Sequence, residues 1–350
     1  MESPRHLANE LFHLIAKEAG PEVIKRALPA SKFIYKVFMP FVYESPPPSA
    51  IKTLALSDKE HEPLRESHPA AFVKRLFILG KGLSSAQLKA VLDNSLSVTC
   101  SNYTLPIILG PCAGECLDAL KELTLSLSYP TMSTTTSISL VTSLYTPGLE
   151  KVTLAISRAF SPPRFTTLSF LLDMLWKSAG QNLTHLEFHI PSVQGHVDLY
   201  STLPTLLNNK TFVFPRLRKL VYIAEGYHLS LISFLQRHPH ITELGYLADK
   251  NHMQSFAWEG PVLLPNVSRL HTYFHDALWL ITSCAPHQLI SLHINRCKYT
   301  FDPAPVLCQI QKQLAHVETL RHLCLDDTAR GTGFESKTIA AFVQACPRLI

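Results

Sequence analysis

The sequence predicts an α/β fold in which strand-and-helix units repeat along the chain after a small opening module of three helices. Three observations predict it. A frame of one apolar residue, two variable residues, a second apolar residue, one variable residue and a third apolar residue returns ten times in order. Helical apolar patterns fall between most of those frames, and the first 45 residues carry helical patterns without the frame.

The frame is plainest at Pro215 to Ile223, P-R-L-R-K-L-V-Y-I, where Leu217, Leu220 and Tyr222 hold the apolar positions. Further copies are Ile241, Leu244, Tyr246; Val267 and Leu270; Leu289, Leu292, Ile294; and Leu320, Leu323, Leu325. Earlier ones are Ile51, Leu54, Leu56; Val73, Leu76, Ile78; Leu120, Leu123, Leu125; Leu149, Val152, Leu154; and Leu183, Leu186, Phe188. On a strand the last two positions of the frame point to one side and their neighbours to the other. One side is core, and the other is free. Val98 marks a further, poorly matched strand. The spacing between copies is roughly 22 to 34 residues, and each unit reads as strand, turn, helix and return. That is the plan of a leucine-rich repeat solenoid with a curved parallel sheet.

In order, the chain divides into a helical module at 1–45, a proline-rich connector at 46–50 and the repeats at 51–350. In the module, Leu7, Leu11, Leu14 and Ile15 share one face of a first helix, with Glu10, His13, Lys17 and Glu18 largely elsewhere. Gly20-Pro21 ends that helix and Glu22 to Leu28 forms a short second one. Ser31 N-caps a third that carries Phe33, Ile34, Val37 and Phe38, and Pro40 stops it. Pro46, Pro47 and Pro48 make a stiff, extended link.

Within the repeats, helices are expected at 84–92, near 140–145, and at 168–178, 229–237, 277–284, 306–317 and 337–345. Ser/Thr-rich residues 126–139 and the Pro162-Pro163 segment interrupt the middle units, and 251–260, with Phe256 and Trp258, has no assignment. A new frame begins at Cys346 to Ile350 without the polar covering a repeat array needs, so the sequence reads as abruptly capped or as a fragment.

Composition narrows the functional classes. The chain has 350 residues, 46% of them hydrophobic, enough for a large core. No apolar run approaches about 18 residues and no signal-peptide pattern opens the chain, so the expectation is a soluble protein of the cytoplasm or nucleus with no membrane partner. The 8 cysteines are then free, mostly buried thiols, and the glycosylation-like triplets at Asn102, Asn182, Asn209 and Asn266 are chance matches. The net charge of +5 is spread out; its densest group, Lys210, Arg216, Arg218 and Lys219, reads as the solvated rim of one repeat and not as a nucleic-acid surface.

The module's L-A-N-E-L-F-H-L-I and A-S-K-F-I-Y-K-V-F-M-P-F-V-Y-E-S resemble the F-box, through Leu7, Glu10, Leu11, Ile15, Ser31, Lys32, Phe33, Tyr35, Pro40 and Tyr43. With the repeats behind it, nearly the whole chain resembles the F-box-like leucine-rich repeat proteins abundant in fungi. Ala8 stands where the motif has proline, worth about 0.4 to 1 kcal/mol of unfolded-state entropy. Ala30 stands where it has valine, worth about 1 to 2 kcal/mol if buried. The resemblance implies a non-catalytic receptor. Leu7, Leu11, Ile15, Phe33 and Phe38 would dock on a Skp-like adaptor of a cullin-RING ubiquitin ligase, while the repeats hold a protein substrate. The alternative is a stand-alone repeat protein whose helical module only caps the solenoid.

Residues alternating with the core positions line the free face. On the last three strands these are Arg269, His271, Tyr273; Ser291, His293, Asn295; and His322, Cys324, Asp326. Stacking the repeats puts His271, His293 and Cys324 in one row and Tyr273, Asn295 and Asp326 in the next. Arg269, His271, Tyr273, His293, Asn295, His322 and Asp326 are therefore the candidate partner-binding face. His185, Glu187 and His189 alternate on another strand, but same-face neighbours about 7 Å apart do not converge on one zinc ion, and Cys112 and Cys116 lack a second pair. No phosphate-loop, dinucleotide, zinc-protease or nucleophile-elbow motif occurs, so neither cofactor nor catalytic residue is expected.

Overall fold

A computed structural model of the chain describes residues 4–30, 32–46, 72–78, 95–101, 119–127, 148–156, 180–190, 207–225, 229–249, 259–295, 304–326, 336–346 and 348–349. By internal contacts the chain divides into two compact units, Met1–Ser126 with Thr131–Leu149, and Leu127–Pro130 with Glu150–Ile350. The expected frame at Ile51, Leu54 and Leu56, the helices at 84–92, 140–145 and 168–178, most of 126–139 and 251–260, the Pro162-Pro163 segment, and Cys112 and Cys116 lie outside the described residues.

The first unit opens with helices α1 (Pro4–Ala19), α2 (Pro21–Ala27) and α3 (Lys32–Tyr43), with a 3-10 turn at Leu28–Ala30. Gly20 separates α1 from α2 with φ of +75°, a conformation that favours glycine, and Pro21 starts α2 with a ring already set for helix. Ala16, Ile24 and Phe38 form the module's core, with Phe12, Ile34, Val37, Phe41 and Val42 packed around them. The Phe12 ring meets Phe33 and Phe38 edge-on at 5.5 and 5.9 Å. One expectation fails here: Pro40 lies inside α3 and does not stop it. A proline in a helix interior removes one hydrogen bond and crowds the carbonyl four residues back. The helix continues because Phe41 and Val42 beyond it still pack on the core.

Strands β1 (Arg75–Ile78), β2 (Ser97–Ser101) and β3 (Glu122–Leu127) follow, pairing in parallel and in sequence order. β2 is the weakly marked strand around Val98. The second unit carries β4 (Lys151–Ile156), β5 (His185–Ile190), β6 (Lys219–Glu225), β7 (Glu243–Asp249), β8 (Arg269–Tyr273), β9 (Ser291–Asn295) and β10 (His322–Asp326), again parallel and in order. Helices α4 (Leu229–Arg237), α5 (Phe274–Ser283), α6 (Ala304–Leu314) and α7 (Ser336–Ala345) occupy four of the places where the apolar period demanded them. This is the leucine-rich repeat arrangement.

The frame positions are the core. Leu217, Leu220, Tyr222, Leu289, Leu292 and Ile294 are wholly buried, and the copies at 120–125, 149–154, 183–188 and 241–246 are nearly so. At β10 the second and third positions, Leu323 and Leu325, are only half-buried. Phe188 meets Tyr222 edge-on at 6.2 Å, Tyr222 stacks on Tyr246 at 5.9 Å, and the series continues edge-on to Trp279 of α5.

A second repeat signature lies in the backbone. The residue just before a strand repeatedly offers its carbonyl to two successive N–H groups of the next repeat. In the second unit Glu150 accepts from Thr184 and His185, Thr184 from Arg218 and Lys219, Arg218 from Thr242 and Glu243, and the series runs on to Ile290, which accepts from Arg321 and His322. In the first unit Lys74 and Leu96 act in the same way toward β2 and β3. Glu44, just past α3, accepts from Lys74 and Arg75 at 2.9 Å. The end of the helical module thus occupies the place of a strand-entry residue and satisfies the first strand's leading N–H groups.

Candidate functional site

In the first unit the candidate surface is set by which stripe of α1 is buried. Phe12 and Ala16 face the core, whereas Leu11, Leu14 and Ile15, at helical spacing on another face, are 59%, 61% and 46% exposed. Phe33 on α3 is 47% exposed although its ring touches Phe12. Of the five residues expected to meet an adaptor, Leu11, Ile15 and Phe33 are accessible. Phe38 is not: it is 5% exposed and belongs to the module core, because α3 turns that side of its helix toward Ala16 and Ile24. Leu7 lies in α1, but its side chain is outside the described residues.

In the second unit the strand register assembles the free face in rows. His271 pairs with His293, and His293 with Cys324; Tyr273 pairs with Asn295, and Asn295 with Asp326; Arg269 pairs with Ser291, and Ser291 with His322. These are the rows that frame spacing predicts. The His271 and His293 rings stack at 4.2 Å with 7° between their planes. Asp326 Oδ2 is 3.9 Å from His293 Nε2, too far for a hydrogen bond. His271 Nε2, His293 Nε2 and Asn295 Oδ1 are closed to water without a hydrogen-bond partner among the described residues. Burial, then the neighbouring His293, holds the His271 imidazole below its ordinary pKa, while Asn295 and Asp326 pull the other way.

The lowest row is charged and paired. Glu243 accepts from Arg269 at 2.8 Å and lies 3.4 Å from Lys219. The basic group around 210–219 is similarly engaged: Arg216 donates to Asn182 Oδ1 at 2.9 Å and Arg218 to the His240 carbonyl at 3.0 Å. Asn209 accepts from both the N–H and the hydroxyl of Thr211, and Asn266 donates to the Pro239 carbonyl, so three of the glycosylation-like asparagines serve turns and neighbouring repeats.

On β5 the three potential metal ligands do not converge on one point. Thr184 Oγ1 lies 2.9 Å from His185 Nδ1. Glu187 accepts from Thr153 at 3.3 Å and has His189 at 3.6 Å, the largest influence keeping its carboxyl below the ordinary pKa. Among the described residues no group of three His, Cys, Asp or Glu side chains is placed to hold a metal ion. Described free thiols divide evenly: Cys284 and Cys346 are buried, and burial pushes their pKa up to about 12 and about 11, while Cys308 and Cys324 are exposed. No helix among the described residues is long and apolar enough to cross a membrane.

Two features have no clear sequence signal. Gly245 sits in the middle row between Val221 and His271, and a Cβ there would approach Val221 Cγ1 to 3.3 Å. Asp276 is buried at the start of α5, where it accepts from Trp279 Nε1 at 3.1 Å and lies 3.0 Å from His275 Nε2. An aspartate within an apolar helical run is the only hint of that second arrangement.

No protein-family model matches the chain, and no curated protein does. Among solved structures it is similar to the TLR13 chain of a TLR13–ssRNA13 complex, with a TM-score of 0.39 and 15% identity. The match covers 77% of this chain and 38% of that one. A likeness at that level assigns neither activity nor partner.

Proposed function

We propose that the chain is a non-catalytic protein-interaction receptor inside the cell, in cytoplasm or nucleus. In this reading the N-terminal helices dock on a Skp-like adaptor of a cullin-RING ubiquitin ligase, and the free face of the repeats holds the substrate protein. The supporting observation is the exposed apolar stripe of Leu11, Leu14 and Ile15 on a helix whose other stripe already supplies the module's core. Large apolar side chains left out of a nearby core are unfavourable to hydrate, and a partner helix that covers them recovers about 1.5 to 3 kcal/mol for each one fully buried.

Leu11→Asp with Ile15→Asp in the full chain tests this. Neither side chain supports the core, so the double variant is expected to fold, to lose co-purification with the adaptor and to keep any partner bound by the repeats. Equal adaptor retention by the folded variant contradicts the reading.

A second reading has its own observation. The Glu44 carbonyl completes the hydrogen-bond series at the first strand, which suits a module whose role is to cap the repeats. It predicts that a folded full chain retains no adaptor at all.

A further inference from the structure

The upper two rows of β8, β9 and β10 hold His271, His293, Cys324, Tyr273, Asn295 and Asp326, with no lysine or arginine among them. The nearest arginine on the free side of these strands, Arg269, is a row lower and already paired with Glu243. What the rows offer is acceptors. Asp326 is a half-exposed carboxylate, and a neutral imidazole presents a lone pair on whichever nitrogen carries no proton. Burial disfavours the charged form of the His271 imidazole. The parallel His271 and His293 rings add a flat aromatic platform.

We infer that this shelf takes an arginine side chain of the bound partner, its guanidinium paired with Asp326 and its plane laid against the stacked imidazoles. Guanidinium fits better than ammonium because it is flat, stacks on aromatic faces and carries several donors in one plane. Asp326 contributes the charge, and His271 with His293 the platform. The inference rests on the reading that the free face of the repeats is the partner-binding one, but it does not require the ubiquitin-ligase adaptor.

The test uses the full chain labelled at histidine, followed by NMR slightly above neutral pH, with capped Gly-Arg-Gly, Gly-Lys-Gly and Gly-Glu-Gly peptides as probes. The arginine peptide is expected to shift the His271 and His293 ring resonances saturably, with the buried His238 resonance unmoved. The lysine peptide is expected to bind about fivefold or more weakly and the glutamate peptide not at all. Asp326→Asn, at a half-exposed position, is expected to weaken arginine binding about tenfold while leaving the His238 resonance in place. No saturable shift, equal binding of the lysine or glutamate peptide, or unchanged affinity in Asp326→Asn overturns the inference. Because no adaptor is present, its failure is distinct from a failure of adaptor docking.

Discussion

The His238 imidazole is wholly buried and engages both nitrogens, Nδ1–H donating to the Phe234 carbonyl at 2.7 Å and Nε2 accepting from the Phe214 N–H at 2.9 Å. Its ring also stacks on Phe234 at 4.0 Å. A second proton would break the bond from Phe214, and burial, the main cause, lowers its pKa to about 4. The unfolded chain, with an ordinary histidine, binds more protons between about pH 6.5 and about pH 4. Stability is therefore full above pH 6.5 and falls as pH drops through that window, by roughly 3 kcal/mol from this residue. His238→Phe leaves the Phe214 N–H unpaired, costing about 1 to 3 kcal/mol near neutrality, but flattens the acid slope. Urea denaturation at a series of pH values checks both; an unchanged slope contradicts the assignment. None of this is legible in the sequence, because the partner N–H comes from 24 residues upstream and no local pattern marks it.

At the scale of elements, the strands were legible and the helical module's packing was not. A side-chain period of two makes the frame declare its own inside, and parallel strands that repeat the frame align in register. The His271, His293 and Cys324 row follows from that alone. Leu220 is a wholly buried frame residue, and Leu220→Ala is expected to cost about 2 to 5 kcal/mol in urea denaturation, whereas Cys324→Ser on the exposed face should stay within about 0.5 kcal/mol. In α1, by contrast, two neighbouring stripes are both apolar, and spacing alone does not say which one packs inside. What decides is shape: the Phe12 ring fits edge-on between Phe33 and Phe38, residues of another helix. Pro40 was misread for a related reason, since the local rule that proline ends a helix yields to the packing of Phe41 and Val42. Pro40→Ala restores a helix N–H and is expected to stabilise the chain by about 2 kcal/mol after the lost unfolded-state restriction is counted, measured by thermal or urea denaturation. No gain, or a loss, indicates that α3 is fitted to its proline.

Across the whole molecule, two kinds of surface are exposed. One is an apolar stripe on a helical module whose core is complete without it; the other is a polar, acceptor-rich face on repeats whose opposite side is filled by leucine, tyrosine and phenylalanine. The leucine frame fixes the second unit's core while leaving the alternate residues open to vary, so the chemistry of the free face lies outside the repeat pattern. A truncated chain beginning at Ser49 would strip the Glu44 carbonyl from the first strand along with the helices, confounding docking with stability. The full chain with Leu11→Asp and Ile15→Asp avoids that. The most direct measurement is co-purification of this variant and of the unaltered chain with the Skp-type adaptor, beside denaturation curves for both. The receptor reading predicts adaptor with the unaltered chain only and closely similar denaturation midpoints; adaptor retained equally by both, or by neither, contradicts it.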